Sequence, residues 1–188
     1  MITQQAPKSL EVDDVLNNVR ILFTEDSPTT VQAFKDAVGQ LGWEGLYASN
    51  AVEMMNMVNS LITDGIPLDG VVADISFLTG PKLTGITAVR EIRKVMPNVP
   101  VIFVSAYVTS IIREEVRRVH AEILEKPVSM ESLFLRLSQL IYWNRLATTT
   151  EISDDDVVTQ QTVTRHLLSI PERIASTLRD KRDNANAR

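Results

Sequence analysis

The sequence predicts an α/β domain in which five strands alternate with five helices, a doubly wound parallel sheet covered by helices on both faces. Three observations carry this. Short apolar runs bounded by turn residues recur between Val19 and Arg145. Several of these runs are hydrophobic throughout, as strands covered on both faces are. The stretches between them place apolar residues at helical spacing.

The strands are read at Arg20–Thr24 (RILFT), Gly45–Ser49 (GLYAS), Gly70–Ala73 (GVVA), Val99–Ala106 (VPVIFVSA) and Glu122–Glu125 (EILE). The first helix carries Val31, Phe34, Ala37, Val38 and Leu41 on one stripe. Ser27 suits its N-cap, and Pro28 suits its first turn, where a missing N–H leaves nothing unpaired. Met54, Met55, Val58 and Leu61 form the stripe of the second helix; Ala88, Val89, Ile92 and Val95 form that of the third. The fourth, from Ser110 to Val119, is polar, and the fifth carries Leu133, Leu135, Leu137 and Leu140. Strands alternating with helices require right-handed crossovers, which make the sheet parallel.

Composition narrows the function. There is no cysteine among the 188 residues, so no disulfide, thiolate metal site or cysteine nucleophile is expected. Two histidines, His120 and His166, are too few for a multi-histidine centre. No apolar run approaches the roughly 20 residues of a membrane helix, and Met1 to Asn17 lacks the apolar core of a signal peptide. A cytoplasmic protein without a membrane partner is expected. The net charge of −5 argues against wrapping nucleic acid with the whole surface. It is also uneven: residues 1–156 carry −8 and residues 157–188 carry +3. The expected organisation is a flexible segment 1–18, a domain 19–145, a linker 146–156 (polar, around ATTTEISDDD) and a basic helical tail 157–188.

A parallel sheet of this kind presents its chemistry beyond the carboxyl ends of the strands. There the sequence places Glu25-Asp26, Asp74, Ser105 and Lys126-Pro127. Each has an ordinary structural explanation alone, but the fold gathers them into one pocket. Three close carboxylates repel one another unless a cation joins them. Oxygen-only ligands favour a hard ion, Mg²⁺ or Mn²⁺. A lysine and a hydroxyl opposite suit a phosphoryl group, and the chemistry so equipped is phosphoryl transfer to a carboxylate.

On these residues, with Ala48-Ser49-Asn50-Ala51 before the second helix and Pro81 and Gly85 before the third, residues 19 to about 143 resemble the receiver domain of two-component response regulators. The resemblance implies a flavodoxin-like sheet of order 2-1-3-4-5 and a non-enzymatic phosphoacceptor with slow autodephosphorylation. It implies Asp74 as phosphoacceptor, and a metal held by Glu25, Asp26, Asp74 and the main-chain carbonyl of Ser76. Ser105, Ala106 and Lys126 would bind phosphate, and the Lys126–Pro127 bond would be cis. The implied partners are a sensor histidine kinase or phosphotransfer protein, and an output protein met through the tail or the face of the fourth helix, fifth strand and fifth helix.

The sequence departs from the family pattern in three places. Pro81 stands seven residues after Asp74, where four is usual, so the loop ISFLTGPKLTG is longer. Ile123 occupies a switch position that is often aromatic, with Tyr107 a substitute switch or gate. Glu25 stands where Asp is commoner. The alternatives are a pseudo-receiver that binds without phosphorylation and a transcriptional regulator placing its basic tail on DNA; six basic residues in 32 without a recognition helix disfavour the latter. Val163, Leu167, Ile170, Ile174 and Leu178 give the tail an apolar stripe, for which the receiver itself, a second copy of the chain in a homodimer, or another protein is the expected cover.

Overall fold

The computed structural model describes residues 15–75 and 85–148. The strands are β1 (Arg20–Thr24), β2 (Glu44–Ala48), β3 (Gly70–Asp74), β4 (Val101–Ser105) and β5 (Glu122–Glu125). The helices are α1 (Pro28–Leu41), α2 (Ala51–Thr63), α3 (Gly85–Val95), α4 (Ser110–Arg118) and α5 (Met130–Thr148). All strand pairs are parallel and the order is β2-β1-β3-β4-β5. In register, Leu22 of β1 faces Leu46 on one side and Val71 on the other, and Ser105 faces Glu125.

Every residue of β3 and β4 is buried, which is why these strands are apolar without alternation. Strand alternation nevertheless divides the core in two. Ile21, Phe23, Val72, Ile102 and Val104 face α1 and α5; Leu22, Val71, Ala73, Val101 and Phe103 face α2, α3 and α4. On the first face the Phe23 ring stacks between Phe34 at 4.6 Å and Tyr47 at 5.4 Å.

Local chemistry sets the helix ends. Ser27 caps α1 by accepting the Thr30 N–H, with Pro28 in the first turn, and Gly42 ends the helix at φ 67°, a conformation glycine adopts without steric cost. Asn50 caps α2 and Thr109 caps α4 by the same device. The stripes differ from expectation in detail. Val95, on the last turn of α3, is exposed. In α5 the buried rows are Leu133, Leu137, Ile141 and Phe134, Ser138, Tyr142, while Leu135 and Leu140 are only partly covered. Ser138 is tolerated there because its hydroxyl donates to the Phe134 carbonyl at 2.6 Å.

The domain boundaries also shift. Residues 15 and 16 are packed: Val15 and Leu16 are buried, and the Trp43 indole N–H donates to the Leu16 carbonyl at 3.2 Å. Arg145 secures this segment. Its guanidinium pairs with Asp69 at 2.7 Å and donates to the carbonyls of Val15 at 2.6 Å and Asn17 at 2.7 Å. Helix α5 runs on to Thr148, so the first residues assigned to the linker are helical. The rest of the linker and the basic tail lie outside the described residues. No described helix is long and apolar enough to cross a membrane.

Two substitutions test this account. Arg145→Ala leaves the mostly buried Asp69 carboxylate with only the Arg20 main-chain N–H and removes the donor to the Val15 and Asn17 carbonyls, and chemical denaturation should show a loss of about 2–3 kcal/mol. Thr24 carries the one buried side-chain polar atom without a hydrogen-bond partner among the described residues. Thr24→Val, which keeps the shape and removes that hydroxyl, should therefore match or exceed wild-type stability, by up to about 1 kcal/mol in the same measurement.

Candidate functional site

Four of the five strands deliver a polar residue to the same end of the sheet. Glu25 follows β1 directly, Asp74 closes β3, Ser105 closes β4 and Lys126 follows β5. Glu25 and Asp74 are buried, with 7% and 8% of their surface exposed. The Lys126 ammonium stands between them, 2.5 Å from Asp74 Oδ2 and 3.6 Å from Glu25 Oε2. The other Glu25 oxygen accepts the main-chain N–H groups of Asp26 at 3.2 Å and Ser27 at 3.0 Å. The carboxylate thus fixes the turn into α1 while facing the lysine.

Lys126 is positioned from its main chain as well. Its N–H donates to the Ser105 carbonyl at 2.8 Å, and the Lys126–Pro127 bond is cis. Burial works to lower the lysine pKa, but the hydrogen bond and charge of Asp74, with those of Glu25, outweigh it and hold the pKa above its ordinary value.

The remaining residues named from the sequence are placed differently. Asp26 is exposed at the rim, and among the described residues no group of three histidine, cysteine or acidic side chains gathers closely enough to hold a metal ion. The expected knot of three carboxylates is instead a pair joined by a lysine, because the ammonium supplies the positive charge that the pair needs. The Ser105 hydroxyl is buried and engaged locally: it donates to the Tyr107 carbonyl at 3.0 Å and accepts the Tyr107 N–H at 3.1 Å. Ala106 is exposed and small. The Tyr107 side chain is 73% exposed, turned to solvent. Ile123, opposite Phe103 in the sheet register, packs against the α2/α3/α4 side of the core. Ser76 and the loop through residue 84 lie outside the described residues.

One feature of the site escaped the sequence reading. A cavity of about 450 Å³ opens beneath the Lys126–Asp74 pair, between α1 and α5, with Phe34, Val72, Val104 and Leu133 among its walls. Its only sequence signal is the short side chain of valine at positions 72, 104 and 128.

The raised Lys126 pKa has a definite consequence for stability. Its contribution is fully present below the unfolded lysine pKa of about 10.4 and is lost as pH rises through the higher folded value. In chelator, Lys126→Met should unfold at lower urea than wild type by a margin that is constant between about pH 6 and 9 and narrows above about pH 10.4. Urea midpoints across that range, read by tryptophan fluorescence, provide the check.

Comparison with known proteins agrees with this architecture. A family model described as the response regulator receiver domain matches residues 21–138. The receiver domain protein of Clostridium thermocellum superposes with a TM-score of 0.58 at 27% identity, covering 69% of this chain and 98% of that one. A response regulator receiver protein from Sinorhizobium medicae gives the same TM-score, identity and coverage. A CheY-like receiver domain protein from Methanospirillum hungatei shares the fold, with a TM-score of 0.61 at 18% identity over 70% of this chain and 99% of that one. No curated protein matches significantly. With well over half of its length matched by the family model, this chain belongs to the response regulator receiver domain family of two-component signalling.

Proposed function

We propose that Asp74 accepts a phosphoryl group from a histidine kinase or phosphotransfer protein, with Mg²⁺ held by Glu25, Asp26 and Asp74, and that the chain signals onward through protein contacts. The observation that carries this reading is the Lys126 ammonium shared by two buried carboxylates at the carboxyl end of the sheet. The donor set fits a hard cation. All its atoms are oxygens, Glu25 and Asp74 converge on one positive charge, and the exposed Asp26, next in sequence to Glu25, would turn inward to complete the set. When bound, Mg²⁺ supplies neutralisation of the charge on the transferring phosphoryl oxygens.

The chain's own residues account for the rest. An Asp74 carboxylate oxygen forms the new P–O bond as the P–N bond of the phosphohistidine breaks, and the imidazole leaves with the electron pair. Lys126, 2.5 Å from Asp74 before transfer, then pairs with a phosphoryl oxygen as a fixed positive charge. Ser105 reaches the phosphoryl group by giving up its bond to the Tyr107 carbonyl, and Ala106 leaves room beside it. The exposed Tyr107 and Ile111, next to and within the start of α4, make the face of α4, β5 and α5 the candidate exit for the signal.

Intact mass after incubation with Mg²⁺ and acetyl phosphate tests the reading. Wild type should gain one acid-labile phosphate, and none when chelator replaces Mg²⁺. Asp74→Asn should gain none. A gain by Asp74→Asn moves the acceptor elsewhere, and no gain by wild type makes the domain a binding module of the same fold.

A further inference from the structure

The cavity beneath the Lys126–Asp74 pair has the character of a ligand site in its own right. At about 450 Å³ it lies within the range of small-molecule pockets, about 300–1,000 Å³. It arises from three separate segments. Val72 and Val104, on adjacent strands, end short of the space between α1 and α5, and Val128 covers it from the loop before α5. Phe34 on α1 and Leu133 on α5 wall it on either side, and both are buried. Thr30 lies four residues before Phe34, so the two share one face of α1. The Thr30 main-chain N–H donates to the Ser27 hydroxyl, and the half-buried Thr30 lines this wall.

We infer that this cavity binds a small, uncharged, mainly apolar molecule carrying one hydrogen-bonding group. The walls select against charge, because valine, phenylalanine and leucine side chains give a buried ion no compensation. The charged groups at the mouth, Glu25, Asp74 and Lys126, are those assigned above to the metal and the phosphoryl group, so a charged molecule is held there and not drawn into the apolar part. An alcohol, ketone or amide has no such competing site, and two threonines line the space for it, Thr30 and Thr24, whose buried hydroxyl lacks a partner. The apolar part adjoins the phosphoryl-acceptance site and shares Glu25, Asp74 and Lys126 with it at the mouth, but its occupancy does not require phosphorylation.

Methyl-labelled full-length protein titrated with 1-hexanol, hexanoate and hexylammonium separates the cases by NMR. The expected result is saturable shifts from 1-hexanol, confined to the methyls of Val72, Val104, Val128, Met130 and Leu133, with at least tenfold weaker binding of either ion. Val128→Phe should abolish these shifts by filling the space, its fold checked by unchanged methyl signals of Val58 and Ile92 in the opposite core. Thr30→Val, a conservative second variant, should weaken 1-hexanol severalfold and leave toluene binding unchanged. The inference is overturned by shifts that fail to saturate or that spread through both cores, by hexanoate or hexylammonium binding as tightly as the alcohol, or by undiminished binding to a folded Val128→Phe.

Discussion

The carboxyl end of the sheet is organised around one ammonium group. Glu25 and Asp74 are each more than nine-tenths buried, and buried carboxylates are costly unless they are paired. Lys126 meets both, so three chain segments that follow different strands are drawn to one point. The lysine's own N–H binds the carbonyl of Ser105, which adds β4 to the group. Like-charge repulsion between the two carboxylates is thereby turned into attraction toward a shared partner.

At the other end of the sheet, arginines bind backbone instead of carboxylates alone. The Arg93 guanidinium donates to the carbonyls of Val99, Pro97, Val119 and His120, tying α3 to the loops before β4 and β5. Arg145 does the same for the segment before β1 and adds the ion pair with Asp69. The planar five-donor fork of arginine suits several fixed acceptors at once, where a lysine acts as a point charge. Lys126 thus acts as a point charge at one end, and Arg93 and Arg145 act as forks that fix loops at the other.

The legible part of the fold was that in which burial alone dictates composition. β1, β3 and β4 read as continuous apolar runs because both of their faces are covered, and the Ser27 cap read from a single side chain. Helix α5 was less legible, since two parallel rows are buried and Ser138 is accommodated by a bond to its own helix that no periodicity reveals. Val15 and Leu16 were missed because two apolar residues in a polar segment carry no period. For the site, a parallel sheet fixes where strands end, which made Glu25, Asp74, Ser105 and Lys126 readable as a group. The direction of the Asp26 side chain in a turn is not fixed in that way. The cavity was unreadable because empty space depends on how Val72, Val104 and Val128 are placed relative to one another.

On the proposed chemistry, the geometry also decides how a phosphoryl group at Asp74 would be felt elsewhere. A serine hydroxyl has one proton to donate, and that of Ser105 is given to the Tyr107 carbonyl. A net hydrogen bond between neutral groups contributes about 0.5–1.5 kcal/mol, while one to a charged acceptor contributes about 1.5–3 kcal/mol. Exchange of the Tyr107 carbonyl for a phosphoryl oxygen is therefore downhill. It releases the main chain of the segment that carries the exposed Tyr107 and leads to the Thr109 cap of α4. Ile123 has no polar handle and is packed against the core opposite Phe103, so it offers no comparable lever. On that chemistry, the route from the acceptor to the α4 surface would run through residues 105–109, along the loop, rather than through rotation of a side chain on β5.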